Sequence, residues 1–401
     1  MRRGLVLTLA TLAGVTVVAA TLALACGAAG FPDSSVIGSV RILASRSDQP
    51  FAKPGATVRS EVLVVDGRPD AATNEPLRVF WLPFVCINPP NDAYYACFSE
   101  FEQNPSSVEQ YGAAGAGGHA GTTATISGAI SSWDGGADAG VAPSVGLSLF
   151  GDGGAQSKTD GGLLGAIPAG KDISAFLVQG PRAVFHLPTT IISSHPPVAG
   201  STPYGVAVLI NIACAGHVEL IALDPTNPSP EQIPFGCFNT QGVQLGADSY
   251  VLGYTEIFAY ESLTNTNPVI SSFSFGDAAV PLDGGGGATG TITVTQCPTG
   301  AKTCPDSYAI VGVPDASWAR DPQNLGPDGG ELGEQIWVDY YATLGTLSEE
   351  AILIFDPTRG RVVPPHQEDF QTSSKGSGTL WAVVHDNRGG ASWLTIPVRS
   401  K

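Results

Sequence analysis

Leu380-Trp381-Ala382-Val383-Val384-His385-Asp386-Asn387-Arg388-Gly389-Gly390-Ala391-Ser392-Trp393-Leu394-Thr395-Ile396-Pro397-Val398 is the stretch that decides the fold class of this chain. Two runs rich in β-branched and aromatic residues, 380–385 and 391–398, flank a five-residue turn cluster, which is the signature of a β-hairpin. Successive side chains of a strand point to opposite faces. Leu394, Ile396 and Val398 therefore share one face of the second arm, with Trp393 and Thr395 on the other.

The same alternation recurs upstream between turn clusters. It marks strands at 36–44, 57–66, 77–85, 173–187, 204–213, 217–223 and 251–260. In 57–66, Val58, Val62 and Val64 face one way and Arg59 and Glu61 the other. In 204–213, Val206, Val208, Ile210 and Ile212 line one face and lead to Cys214 on that face. Residues 261–268 read as a linker, followed by strands at 269–275, 291–296, 308–313 and 335–342. Residues 351–355 fit either a strand or a short helix. Fifty glycines and 31 prolines favour turns over helices. The expected architecture is all-β, with two β-sandwich domains at 35–262 and 266–400. The first carries a long Gly-rich insertion at about 103–170, where the alternation collapses and Asp-Gly-Gly occurs at 134, 152 and 160. Residues 122–132 and 145–150 are short strand candidates within it.

Pro54-Gly55-Ala56-Thr57-Val58 followed by Val64-Val65-Asp66-Gly67 resembles the opening of bacterial immunoglobulin-like domains. Tyr204-x-Val206-x-Val208 is similar to their penultimate strand. Trp381 to Asp386 with Arg388-Gly389-Gly390 resembles the closing hairpin of such domains in surface lipoproteins of high-GC Gram-negative bacteria. The likeness covers 35–102, 171–260 and 266–400. It implies immunoglobulin-like sandwiches, extracellular display, and adhesion or scaffolding; it brings no catalytic residues with it.

The N-terminus states an address. Arg2 and Arg3 precede an uncharged run from Leu5 to Ala25, and Leu22-Ala23-Leu24-Ala25-Cys26-Gly27 ends it. This resembles the bacterial lipoprotein signal, with Ala23 where leucine is usual, and implies cleavage before Cys26 and its lipidation. Residues 1–25 are then the signal and 26–34 a tether. Glycine after the cysteine resembles lipoproteins sent to an outer membrane or the cell surface. An uncleaved membrane anchor and a plain secretory signal are the alternatives. Cleavage takes two arginines and no acid, so the formal net charge of −17 becomes about −19. Such a surface repels phosphates and anionic headgroups, which excludes nucleic acid and leaves the lipid to hold the chain on its membrane.

Six cysteines remain after Cys26: Cys86, Cys97, Cys214, Cys237, Cys297 and Cys304. An even set in an exported chain reads as disulfides, with pairing of neighbours (86–97, 214–237, 297–304) the economical choice among 15 connectivities. Zinc is the rival, but the Cys297–Cys304 spacing is wider than zinc clips use and no second close pair accompanies it.

Catalytic motifs are missing. There is no Gly-x-Ser-x-Gly, Ser-x-x-Lys, His-Glu-x-x-His or phosphate loop. Three histidine neighbourhoods invite inspection: His217 with Glu219, His366 with Glu368 and Asp369, and His385 with Asp386. Asp134, Asp138, Asp152 and Asp160 are calcium candidates in the insertion, without a calcium-loop consensus; no metal and no cofactor are assigned. Phe80, Trp81, Phe84, Tyr94, Tyr95 and Phe98 crowd the Cys86–Cys97 loop, either as core or as a grip for a protein or glycan ligand. The expected role is a lipid-anchored extracytoplasmic binding or scaffolding protein, not an enzyme. The alternative is a secreted hydrolase with an unrecognised site.

Overall fold

The computed structural model describes residues 34–69, 71, 75–97, 125–127, 131–132, 170–221, 234–297, 307–315, 320–326, 329–349, 351–362 and 367–401. The chain is all-β: its named elements are strands, apart from single 3-10 turns at Pro90–Asp92 and Ser174–Phe176.

Two β-sandwiches follow one another. In the first, a four-stranded sheet holds Val40–Ser47, Thr57–Asp66, Arg182–His186 and Ser131–Ser132, in that order. The facing seven-stranded sheet is centred on Tyr204–Cys214, which pairs with Tyr250–Tyr260 on one side and Arg78–Trp81 and Val85–Ile87 on the other. Val58, Val62, Trp81, Phe185, Leu209 and Ile257 fill the space between these sheets. In the second sandwich, a five-stranded sheet around Tyr308–Gly312 faces a six-stranded sheet around Gly376–Asp386. Phe273, Val311, Val338, Tyr340, Phe370, Leu380 and Ile396 meet between them.

The Tyr204–Cys214 strand is buried on both faces from Gly205 onward, as its near-continuous apolar run requires. Ala207, Leu209 and Asn211 point into the sandwich. Val206, Val208, Ile210 and Ile212 point the other way, beneath the Cys86–Cys97 loop and a two-stranded ribbon of His217–Leu220 and Phe235–Phe238. Gly205 has to be glycine: a Cβ there would come within 2.6 Å of the Ile191 carbonyl oxygen.

Several expected strands are subdivided. The 77–85 run breaks into Arg78–Trp81 and Val85–Ile87 around Pro83, which has no N–H for the ladder. The 173–187 run becomes the Ser174–Phe176 turn, Val178–Gln179 and Arg182–His186, crossing from the seven-stranded to the four-stranded sheet at Gly180, whose φ is 108°. Residues 351–355 settle as the strand Ala351–Asp356. In the insertion Thr125–Ser127 and Ser131–Ser132 pair with the first sandwich; 145–150 lies outside the described residues.

The two sandwiches are joined by more than chain. The outer face of the 40–66 hairpin meets that of the C-terminal hairpin, with Leu43 and Val65 against Trp381, Val383 and Trp393. The 261–268 segment is pinned rather than loose. Asn265 Nδ2 donates to the Asp386 carboxylate and the Arg388 carbonyl, and Asn267 bridges Ser47 and Ala391. Arg388 pairs with Glu334, donates to the Thr264 carbonyl at 2.9 Å and lies 4.5 Å over the Phe51 ring.

Candidate binding surface

The residues that converge on one exposed surface come from the loop after Val85–Ile87, the 188–195 segment and the two long central strands. Cys86 is bonded to Cys97 with Cα atoms 5.9 Å apart, which fixes both ends of the loop. The loop holds all three positive-φ non-glycine residues among those described: Asn88 (51°), Asn91 (57°) and Asp92 (56°). Asn and Asp tolerate this conformation best, because their short polar side chains bond locally. Asn88 Nδ2 donates to the Ile191 carbonyl (2.7 Å) and Ser194 Oγ (2.9 Å), while its Oδ1 accepts from the Val206 N–H (2.8 Å).

Those contacts aim Asp92 at the start of the 204–214 strand. Its Oδ2 accepts from the Tyr204 hydroxyl at 2.6 Å, and its Oδ1 lies 2.8 Å from His195 Nε2. The His195 ring packs 4.3 Å from that of Tyr204. Burial, then the Asp92 hydrogen bond and charge, push the Tyr204 phenol up to about 12. Tyr204 is thus a neutral donor at physiological pH, and the trio works as a clasp between three segments.

Beyond the clasp lie the rings. Tyr94 stacks on Tyr254 of the Tyr250–Tyr260 strand, centroids 4.0 Å apart and planes 11° from parallel. Tyr95 meets Tyr94 edge-on at 5.8 Å. Tyr95 and Tyr254 are 43% and 42% exposed, whereas Phe80, Trp81 and Phe84 are buried in the core. The aromatic crowd of the sequence therefore divides in two, and Phe98 lies outside the described residues. Glu256, two residues from Tyr254 on the same face, is half-buried. Burial, and secondarily the Asp92 charge, raise its carboxyl above the ordinary range. It has no hydrogen-bond or ion-pair partner among the described residues. Exposed rings beside a carboxylate can stack on a ligand's apolar face and accept its hydrogen bonds.

The histidine neighbourhoods resolve differently. His217 Nε2 lies 2.8 Å from Glu219 Oε1 on the ribbon, as two side chains on one strand face can. His366 lies outside the described residues; Glu368 is fully buried and its Oε1 accepts from Ser348 and Glu349, which anchors a turn. His385 turns away from Asp386: it pairs with Asp339 at 3.2 Å and stacks on Trp337, while Asp386 Oδ1 accepts from the Arg388 and Gly390 N–H groups. Among the described residues no three His, Cys, Asp or Glu side chains gather as a metal site.

Cys214 is bonded to Cys237, and Cys297 is also in a disulfide. Cys304, Cys26, the signal region, and Asp134, Asp138, Asp152 and Asp160 lie outside the described residues. The bridges mark an oxidising, extracytoplasmic compartment. No described helix is long and apolar enough to cross a membrane. Sequence reasoning reached Tyr94 and Tyr95 but missed Asp92, His195, Tyr204 and Glu256 as a group. The only local signal was Pro89-Pro90-Asn91-Asp92, a turn-forming run inside a cysteine loop. No protein-family model matches the chain, and no curated protein matches it.

Proposed function

We propose that this chain is a lipid-anchored, extracytoplasmic binding or scaffolding protein of the immunoglobulin-like sandwich type. Its ligand surface is the tyrosine cluster of the Cys86–Cys97 loop. The observation that carries the reading is the Tyr94–Tyr254 stack, with Tyr95 and Tyr254 exposed beside Glu256, which has no hydrogen-bond or ion-pair partner among the described residues. Adjoining exposed rings, Tyr95 on the disulfide-fixed loop and Tyr254 on the strand beneath it, offer a partner apolar faces to pack on. The signal-like N-terminus and Cys26 support attachment through lipid, at an outer membrane or cell surface. The acidic net charge argues against nucleic acid.

Immobilised protein is screened against a glycan array and against extracellular proteins of the source cell. Retention that Tyr254→Ala abolishes supports the proposal, and retention unchanged by Tyr254→Ala and Tyr95→Ala ends it. Catalysis has one observation in its favour, the His195 imidazole oriented on Asp92. Turnover of a retained ligand, lost in His195→Ala, would replace binding with hydrolysis. Metabolic labelling with a fatty acid tests the anchor: label persisting in Cys26→Ser removes it.

A further inference from the structure

A cleft of about 490 Å³ opens in the first sandwich, away from the tyrosine cluster. Its walls are the 57–66 strand, the start of the 78–81 strand and the Gln179-Gly180-Pro181 turn, with Trp393 of the second sandwich also lining it.

One wall is an unfinished sheet edge. On one side the 57–66 strand pairs with Val40–Ser47 from Ser60 to Asp66. On the other, Arg182–His186 covers only Thr57 to Glu61. One more bond follows, from the Val62 N–H to the Pro181 carbonyl at 2.9 Å, before the neighbour turns away. Main-chain groups of alternate residues in an antiparallel strand point to alternate sides. The Arg59 carbonyl and the Gly67 N–H are bonded toward the 40–47 side, so the even residues point into the cleft. Pro181 has no N–H to return to the Val62 carbonyl. That carbonyl and both main-chain groups of Val64 thus face the cleft with no partner among the described residues. An edge in this state is a template for another strand.

The side chains add a preference. Val62, Val64 and Val79 offer apolar contact to alternate residues of an incoming strand. The Glu61 carboxylate is already held by Arg46 at 2.6 Å and Arg182 at 2.9 Å. Arg78 also borders the cleft but stands opposite Cys214 in the register, on the face turned toward Glu75 and the His217–Leu220 ribbon, so it adds no charge to the cleft.

We propose that this cleft binds an extended peptide segment of a partner protein, added as a strand to the free half of the 57–66 strand. Glycans offer hydroxyls rather than a row of N–H and C=O groups at strand spacing, which favours peptide as the occupant. This proposal is independent of the tyrosine surface, and Tyr254→Ala leaves it intact.

The test pans the full mature chain against a displayed library of random decapeptides. The selected peptide is synthesised and its affinity measured by fluorescence polarisation for the parent and Val64→Pro. Proline suits this position, because the N–H it removes faces the open side and belongs to no native ladder bond. Selected peptides should alternate apolar residues, and Val64→Pro should weaken binding by about tenfold. Should Val64→Pro unfold, N-methylated peptides make the test on unaltered protein: methylating amides on one side of the peptide strand abolishes binding, and methylating those on the other does not. A library that yields no binder, or peptides indifferent to Val64→Pro, overturns the proposal. So does a dimer seen in sedimentation and lost in Val64→Pro, which would make a second copy the occupant.

Discussion

Arg388→Met should loosen the two sandwiches from one another. The Arg388 side chain is 4% exposed and that of Glu334 1%, so their ion pair is desolvated. The substitution keeps most of the apolar stem and deletes the guanidinium. It takes the guanidinium away from a buried carboxylate, removes the 2.9 Å bond to the Thr264 carbonyl and takes the cation off the Phe51 ring. Breaking a buried pair by deleting one partner costs about 3–5 kcal/mol, because the remaining charge keeps its desolvation penalty. Replacing both partners with apolar residues relieves both desolvation penalties and is close to neutral. Glu334→Leu/Arg388→Met should therefore recover most of what Arg388→Met loses. Urea unfolding followed by tryptophan fluorescence measures the loss, and protease cleavage within 261–268 reports release of the pinned segment. A loss below about 1 kcal/mol in Arg388→Met, or a double variant no better than the single, would refute the argument that this pair fastens the units.

Other expectations are more local. Cys214→Ala/Cys237→Ala frees a loop of sequence separation 23, which chain entropy values at about 3 kcal/mol; an unchanged urea midpoint would contradict it. Asn211 is fully buried with both amide atoms lacking partners, so Asn211→Leu should stabilise the first sandwich by about 1–3 kcal/mol, read as a raised melting temperature. Glu256 has a carboxyl raised above 4.5, chiefly by burial. The native state then holds that proton more tightly than the unfolded one, so stability falls as pH rises from 4.5 through the raised value. Glu256→Gln should flatten that fall, and urea midpoints that keep the parent's slope would count against it.

The all-β class was legible because period-2 alternation is a local property. Thr57–Asp66 and the second arm of the closing hairpin follow it over much of their length, whereas the first arm is buried on both faces from Leu380 to Val384. The Cys86–Cys97 and Cys214–Cys237 pairs were legible for a related reason, since each closes a short stretch of chain on itself. The 173–187 run misled because strand-like residues lie on both sides of Gly180-Pro181, where the chain crosses from one sheet to the other. Residues 261–268 misled by composition: a Thr/Asn/Pro-rich stretch reads as linker, yet these amides are pinned to Ser47, Asp386 and Arg388.

Asp92, His195 and Tyr204 were illegible as a group because 103 and 112 residues separate the aspartate from its two partners, and no spacing rule spans that distance. What the amino-acid order determines by itself is the class of structure and the two faces of each strand, both of which depend on near neighbours. Which face of 204–214 meets the opposite sheet, what covers Trp393, and where the 57–66 strand is left half-paired depend on distant partners. Alternation says only that two faces exist; the packing of remote segments decides what each one touches.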